Sequence, residues 1–473
     1  MEEDCKQVLN KHEQRMATMD VKKLVLTNSI PTIIGMSTLA LYNVVDRFWV
    51  SQIPYYGNEA LAAVAFNGPV MFVKMGFAML VGLGSAANIS IRLGSRDREG
   101  AERILGNCFT LAIIISVCIT ALGLIFREPI LDMLGVTPGS RVMASEYYTI
   151  SVWNTIVTIL FIGMNHPIRA SGNQMRFAQT QLLAAGLNMV LDPIFILTLG
   201  MGVAGAAYAT TISMFVASIW VIRYYFTKHS NIRLRIRNLS LSRPIVVAIL
   251  TLGFSPFLMN VMGSVVQVIV NTLLAYHGEL EFGPGNGYRA VSAMAIVMAT
   301  FQLALTPVIG INQGTQPVVG FNIGAGNFGR VRSAYFWSVV YAVSACLIAG
   351  LLVNINPVPM VAAFTDEQSI MELSIFGLRV SMTMSFIIGV GIPTINFFTY
   401  IGRPKISIIL SLMRQFFLLV PAYFTLTHFF GLRGLWFAVP IAEVLAAAVS
   451  VMFVSREFKI LRTRLQPGGS QIA

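Results

Sequence analysis

The stretch Asn188-Met189-Val190-Leu191-Asp192-Pro193-Ile194-Phe195 places an acid where acids are ordinarily excluded. From Phe177 to Leu199 the chain is otherwise mostly apolar, long enough to cross a hydrocarbon core, which takes about 20 helical residues. A carboxylate at such a depth costs roughly 2.5 to 3.5 kcal/mol on insertion scales. Asn188 and Asp192, four residues apart, share a helical face and can act as one polar site. Pro193 has no backbone N–H, so the carbonyl of Met189 is released and the helix is expected to loosen beside the acid. The plainer alternative is a buried acid that pairs with a neighbouring donor to hold helices together. Ionisable groups inside a membrane point to function first.

The surrounding chain supports a membrane setting. Of its 473 residues 55% are hydrophobic and 11% charged, and the mean hydropathy is +0.71. A soluble domain cannot bury that much apolar surface, so the composition is that of a polytopic, all-α membrane protein. The first 23 residues are polar and charged, without the apolar core or cleavage motif of a signal peptide. Cys5, Cys108, Cys118 and Cys346 form no metal spacing and no disulfide framework. The net charge of +12 is spread over loops between apolar runs, which points to membrane topology and not to nucleic acid.

Apolar runs of spanning length fall near 27–50, 62–87, 104–126, 143–164, 177–199 and 203–227, then near 244–275, 287–312, 330–353, 370–392, 405–428 and 434–455. Twelve transmembrane helices are therefore expected. One set of alternate loops collects Lys6, Arg92, Arg96, Arg98, Arg176, the linker basics Lys228 to Arg243, Arg330, Arg403 and Arg464. The other set holds few basic residues and most loop acids, such as Glu128, Asp132, Glu279 and Asp366. The bias places both termini in the cytoplasm.

The sequence also repeats. Pro31 and Asp46 are spaced like Pro256 and Asn271, and Gly84 and Gly94 recur as Gly314 and Gly324. Gly172 recurs as Gly402, and Gly202 with Gly205 as Gly431 with Gly434. Six helices per repeat start both halves on the same side, so the repeats are parallel, related by a pseudo-two-fold axis along the membrane normal. Two six-helix lobes are expected, residues 1–235 and 236–473, joined by the basic linker 228–243.

Several motifs carry no chemistry. Gly324-Ala325-Gly326-Asn327-Phe328-Gly329 fits the dinucleotide pattern GxGxxG, yet no strand precedes it and its counterpart from Gly94 to Gly100 lacks the pattern; both read as turns. No Walker motif, Ser-His-Asp set or metal-binding His motif is present, so neither ATP drive nor an enzyme is expected. What remains is polar residues within spans. Asp46 and Asp192 are the acids well inside first-half helices, with Asn43, Lys74, Asn154, Asn188 and Thr210 nearby in type. Carboxylate, amide and hydroxyl oxygens suit a hard cation. Two neighbouring buried acids can also carry a proton, or exchange it for a metal ion or an organic cation. In the second half Asn271 stands where Asp46 would recur, so the ion site is expected in one lobe alone. Asn43, Lys74, Asn154, Gln267, Asn271, Gln302 and Glu443 are candidates for cavity lining, while Arg379 and Arg414 are expected to be structural.

The 6+6 plan, Leu191-Asp192-Pro193 in the fifth segment, Asp46 after Pro31, and the run Gly310-Ile311-Asn312-Gln313-Gly314-Thr315-Gln316-Pro317 with Gly320-Phe321-Asn322 resemble the multidrug and toxic compound extrusion (MATE) family, in its bacterial MepA-like, DinF-related branch. The resemblance covers nearly the whole chain. It implies cation-coupled (H⁺ or Na⁺) export of amphipathic, mostly cationic compounds by alternating access, from a bacterial plasma membrane, with no cofactor. It further implies a cation site, for H⁺ or Na⁺, at Asp46, Asn188, Asp192 and Thr210. A second branch uses acids on helices 7 and 10, where this chain has Asn271 and Arg379. A monomer with small-molecule drug partners is expected. A flippase for a lipid-linked precursor is the alternative, and would need Lys74, Arg379 and Arg414 to line a cationic cavity. A non-transporting receptor or assembly factor leaves the duplication and paired acids unexplained.

Overall fold

The computed structural model describes residues 11–53, 63–64, 67–134, 141–284, 286–365 and 367–463, the side chains of residues 11, 43, 47, 51 and 461–463 excepted. Every regular element among them is helical. A short polar helix α1 (Lys11–Thr18) precedes the first six long ones: α2 (Val21–Ser51), α3 (Gly68–Gly94), α4 (Arg98–Ile125), then after the short α5 (Arg127–Met133), α6 (Arg141–Ala170), α7 (Gln174–Pro193) and α8 (Gly202–Tyr224). The second half runs α9 (Arg243–Phe282), α10 (Tyr288–Gly324), α11 (Phe328–Ile355), the short α12 (Val358–Ala362), α13 (Gln368–Thr383), α14 (Ser385–Tyr400), α15 (Pro404–Leu412) and α16 (Val420–Thr463).

Ten helical runs among the described residues are long and apolar enough to span a membrane, and α13 with α14, bent by 54°, make one more. The bend falls at Met384, where the Ser385 hydroxyl donates to the Met382 carbonyl at 2.8 Å, a side-chain bond that competes with the helical ladder. The run Pro404–Ile460 has 57 residues, about 86 Å at helical rise, far beyond a hydrocarbon core of about 30 Å. It breaks at Gly431, whose φ of 59° and ψ of −145° no helix contains. Two spans therefore lie in that run, and the described residues hold twelve, as expected. The ends differ from expectation. Phe282 and Gly324 close α9 and α10 well past 275 and 312. Hydropathy marks the hydrocarbon core, whereas a helix continues beyond it while its backbone bonds are met.

The duplication is visible in the backbone irregularities. Pro193 leads into a π turn, Ile194–Thr198, and the fifth span of the second half has its own, Met413–Leu419. The left-handed positions Gly172 (φ 93°) and Gly402 (φ 75°) match. So do Arg96 (φ 62°) and Gly326 (φ 72°), in the turns that replace any dinucleotide loop.

Two compact units result, one from residues 11–19 and 34–261, the other from 20–33 and 262–463. This division departs from the expected 235/236 boundary for two reasons. First, the linker is fastened to α4. Buried Glu102 accepts from Arg235 Nε at 2.8 Å and from the Arg233 backbone N–H at 3.1 Å. Asn107 accepts from the Ser242 N–H at 2.8 Å, and the Thr110 hydroxyl donates to the Leu239 carbonyl at 2.8 Å. Second, the starts of α2 and α9 are exchanged. Gly84 of α3 abuts the α9 backbone at Ile249 and Gly253, and Asn88 Nδ2 donates to the Ala248 carbonyl at 3.1 Å. In the other unit Gly310 and Gly314 of α10 abut α2 at Ile33 and Ser29, and the Thr32 hydroxyl donates to the Gly310 carbonyl at 2.7 Å. Small residues permit such close backbone approach in membrane helices.

Candidate functional site: an oxygen cluster in the first unit

Helix α7 carries Asn188 and Asp192 on one face, buried to 2% and 0% exposure. Asn188 Nδ2 donates to Asp192 Oδ1 at 2.9 Å and lies 3.3 Å from the hydroxyl of Thr210 on α8. Asp46, half-buried on α2, is within electrostatic reach of Asp192. The four residues singled out in the sequence thus belong to one unit and gather on three of its helices. The π turn begins two residues after the acid, the loosening that Pro193 was expected to cause. Such turns recur at functional sites.

Two atoms decide what the cluster can do. Asp192 Oδ2 and Asn188 Oδ1 are buried and have no hydrogen-bond partner. A buried acceptor without a donor typically costs about 1 to 3 kcal/mol, so an arrangement that keeps two on hydrogen-bonded side chains invites a small electropositive species. Every candidate ligand atom is oxygen, the donor type preferred by hard cations and by a proton. Among the described residues no group of three His, Cys, Asp or Glu side chains could hold a metal ion.

The remaining candidates divide by burial. Lys74 (2% exposed) donates to the Ser151 carbonyl at 2.7 Å and to its hydroxyl at 3.1 Å. Asn154, one turn further along α6, accepts from the Thr158 hydroxyl at 3.2 Å. Both are enclosed within the first unit. In the second unit Glu443, also expected as cavity lining, is buried and bound by Arg414, whose Nε and Nη2 each lie 2.7 Å from Oε1. Half-buried Gln267 donates to exposed Asn271 at 2.9 Å, while Gln302 and Arg379 are exposed. The side chain of Asn43 lies outside the described residues. One feature escaped the sequence reading: Arg169 is fully buried, with Nη2 3.0 Å from His166 Nδ1 and its guanidinium over the Phe177 ring. Its position at the end of α6 resembles that of any loop arginine, so only packing reveals it.

The MatE family profile matches residues 31–194 and 252–424. Multidrug export protein MepA of Staphylococcus aureus (strain MRSA252) is 25% identical over 455 residues, 96% of each chain. MepA of Staphylococcus haemolyticus (strain JCSC1435) is 24% identical over 432 residues, 91% of this chain and 93% of its own. Among solved structures, an outward-facing multidrug resistance MATE family transporter of the MOP superfamily aligns at a TM-score of 0.88 and 29% identity, over 96% of this chain and 99% of that one. A MOP superfamily transporter from Pyrococcus furiosus Vc1 (DSM3638), for which reverse polarity of the binding pocket suggests a different function, aligns at 0.89 and 28%, over 96% and 99%. With the profile reaching into both halves and solved relatives matching almost end to end, this twelve-helix membrane protein belongs to the MatE family.

Proposed function

We propose that this chain is a multidrug antiporter of a bacterial plasma membrane. It exports amphipathic, mostly cationic compounds in exchange for H⁺ or Na⁺, as a monomer with both termini in the cytoplasm. The likeness to MepA and to multidrug MATE transporters supports the export role. The observation that carries the coupling is the pair of buried acceptors, Asp192 Oδ2 and Asn188 Oδ1, beside Thr210 and within reach of Asp46. An ion entering from outside is taken by Asp46 and Asp192, with Asn188 and Thr210 completing an all-oxygen shell. Loading lowers the cluster's charge and favours rearrangement of the first lobe and release of drug. Unloading toward the cytoplasm restores the carboxylates and readies the protein for the next substrate. A ligand must bind the two states unequally to shift them, and a site whose charge changes on loading provides that difference.

The flippase alternative requires a cationic cavity. Lys74 is enclosed by α6 and Arg414 is neutralised by Glu443, leaving exposed Arg379 alone of the three, so no observation favours it. The test is Asp192→Asn, which keeps size and hydrogen-bonding capacity. It should reach the membrane at wild-type level and lose gradient-driven ethidium efflux from vesicles. Undiminished efflux in that variant would remove the assignment.

A further inference from the structure

The basic end of the first unit holds a cavity of about 320 Å³ lined by Arg176, Trp220, Arg223, Tyr224, Thr227 and His229. Its floor is fixed. Tyr224 is buried, and its hydroxyl accepts from Asn173 Nδ2 at 3.0 Å and donates to the His229 carbonyl at 3.2 Å. The Thr227 hydroxyl donates to the Tyr224 carbonyl at 2.7 Å. The two guanidinium groups come from different helices, Arg176 from the start of α7 and Arg223 from the end of α8. Arg176 donates to Gln179 at 3.0 Å, and among the described residues neither arginine has a carboxylate within ion-pair distance. Arg92, Arg98, Arg103, Arg235 and Arg237 at this end each have one. Two forks left without acids over one concavity are suited to a phosphate, which guanidinium binds in bidentate fashion.

The surroundings identify the source of that phosphate. Ile212, Phe215, Val216 and Ile219 form an exposed stripe along α8 that leads into Trp220, itself 48% exposed. On a spanning helix such a stripe lies against acyl chains, and tryptophan belongs at the headgroup level. Headgroup chemistry and chain chemistry therefore meet at one mouth. We infer that this cavity binds the headgroup of an anionic phospholipid, its phosphate between Arg176 and Arg223 and its acyl chains along α8. Basic pockets between membrane helices are suited to such headgroups.

The test uses the purified full-length chain in uncharged detergent, titrated with phosphatidylglycerol, phosphatidylcholine or inorganic phosphate and read by thermal unfolding and native mass spectrometry. Phosphatidylglycerol should raise Tm and be retained, while phosphatidylcholine and inorganic phosphate do neither. In Arg176→Gln/Arg223→Gln its binding should weaken about tenfold or more. Arg233→Gln/Arg243→Gln, which removes equal charge outside the cavity, should bind as the wild type does. Should the first double variant fold poorly, Thr227→Glu keeps both arginines, sets a competing carboxylate among them and should abolish retention. Equal loss in the charge-matched control, equal binding of phosphatidylcholine, or saturation by inorganic phosphate each overturns the inference.

Discussion

Arg414 stands one residue into the π turn Met413–Leu419 and closes on Glu443, at side-chain exposures of 15% and 7%. A pair so enclosed gives up hydration on both sides, and its stability value lies in not being broken. Removing Arg414 leaves Glu443 with neither oxygen satisfied, because Oε2 already has no hydrogen-bond partner. Arg414→Met should therefore lower unfolding stability by roughly 3 to 5 kcal/mol, while Arg414→Met/Glu443→Leu should recover most of that loss. Thermal unfolding of the two single variants and the double, in one detergent, provides the cycle; additive losses would show that the pair is not coupled. Legibility in the sequence follows the separation of the partners. Asn188 and Asp192 are joined by helical periodicity alone, so their contact could be read from spacing. Arg414 and Glu443 are 29 residues apart across a break at Gly431, and no local pattern links them.

At the scale of the helix, glycines that look alike in sequence do opposite things. Gly84 faces the α9 backbone, where a Cβ would overlap the Ile249 carbonyl oxygen and sit 3.0 Å from the Gly253 nitrogen. Gly186, midway along α7, has nothing within 4 Å of the place an alanine methyl would take. Overpacking a closed contact costs about 1 to 3 kcal/mol, whereas glycine in an open helix interior is about 1 kcal/mol worse than alanine. Gly84→Ala should lower Tm and the yield of folded protein, and Gly186→Ala should leave both unchanged or higher. A Gly84→Ala protein as stable as the wild type would mean that α3 and α9 are not held at backbone distance. The spacing of Gly84 and Gly314 marked a repeat, but not which helices they meet. Apolar periodicity likewise located the spans while leaving their polar extensions, and the linker bound to α4, unread, because those depend on partners far along the chain.

Across the whole molecule, duplication kept the backbone and divided the chemistry. Each half has a π turn in its fifth span and left-handed turns at matched positions. The first half pairs that turn with an acid whose second oxygen has no donor; the second pairs it with an arginine already neutralised by a glutamate. An ion that drives transport needs a site that can fill and empty, and a committed ion pair offers little for it to displace. Coupling should then belong to one half. In proteoliposomes with an imposed H⁺ or Na⁺ gradient, Asp192→Asn should abolish gradient-driven ethidium movement. Arg414→Met/Glu443→Leu, once shown to be folded, should keep the same dependence on the gradient even if its overall rate changes. The reverse pattern, gradient response lost with the pair and retained without the acid, would move the ion site to the second half and leave the buried acceptors on α7 to be explained by helix association alone.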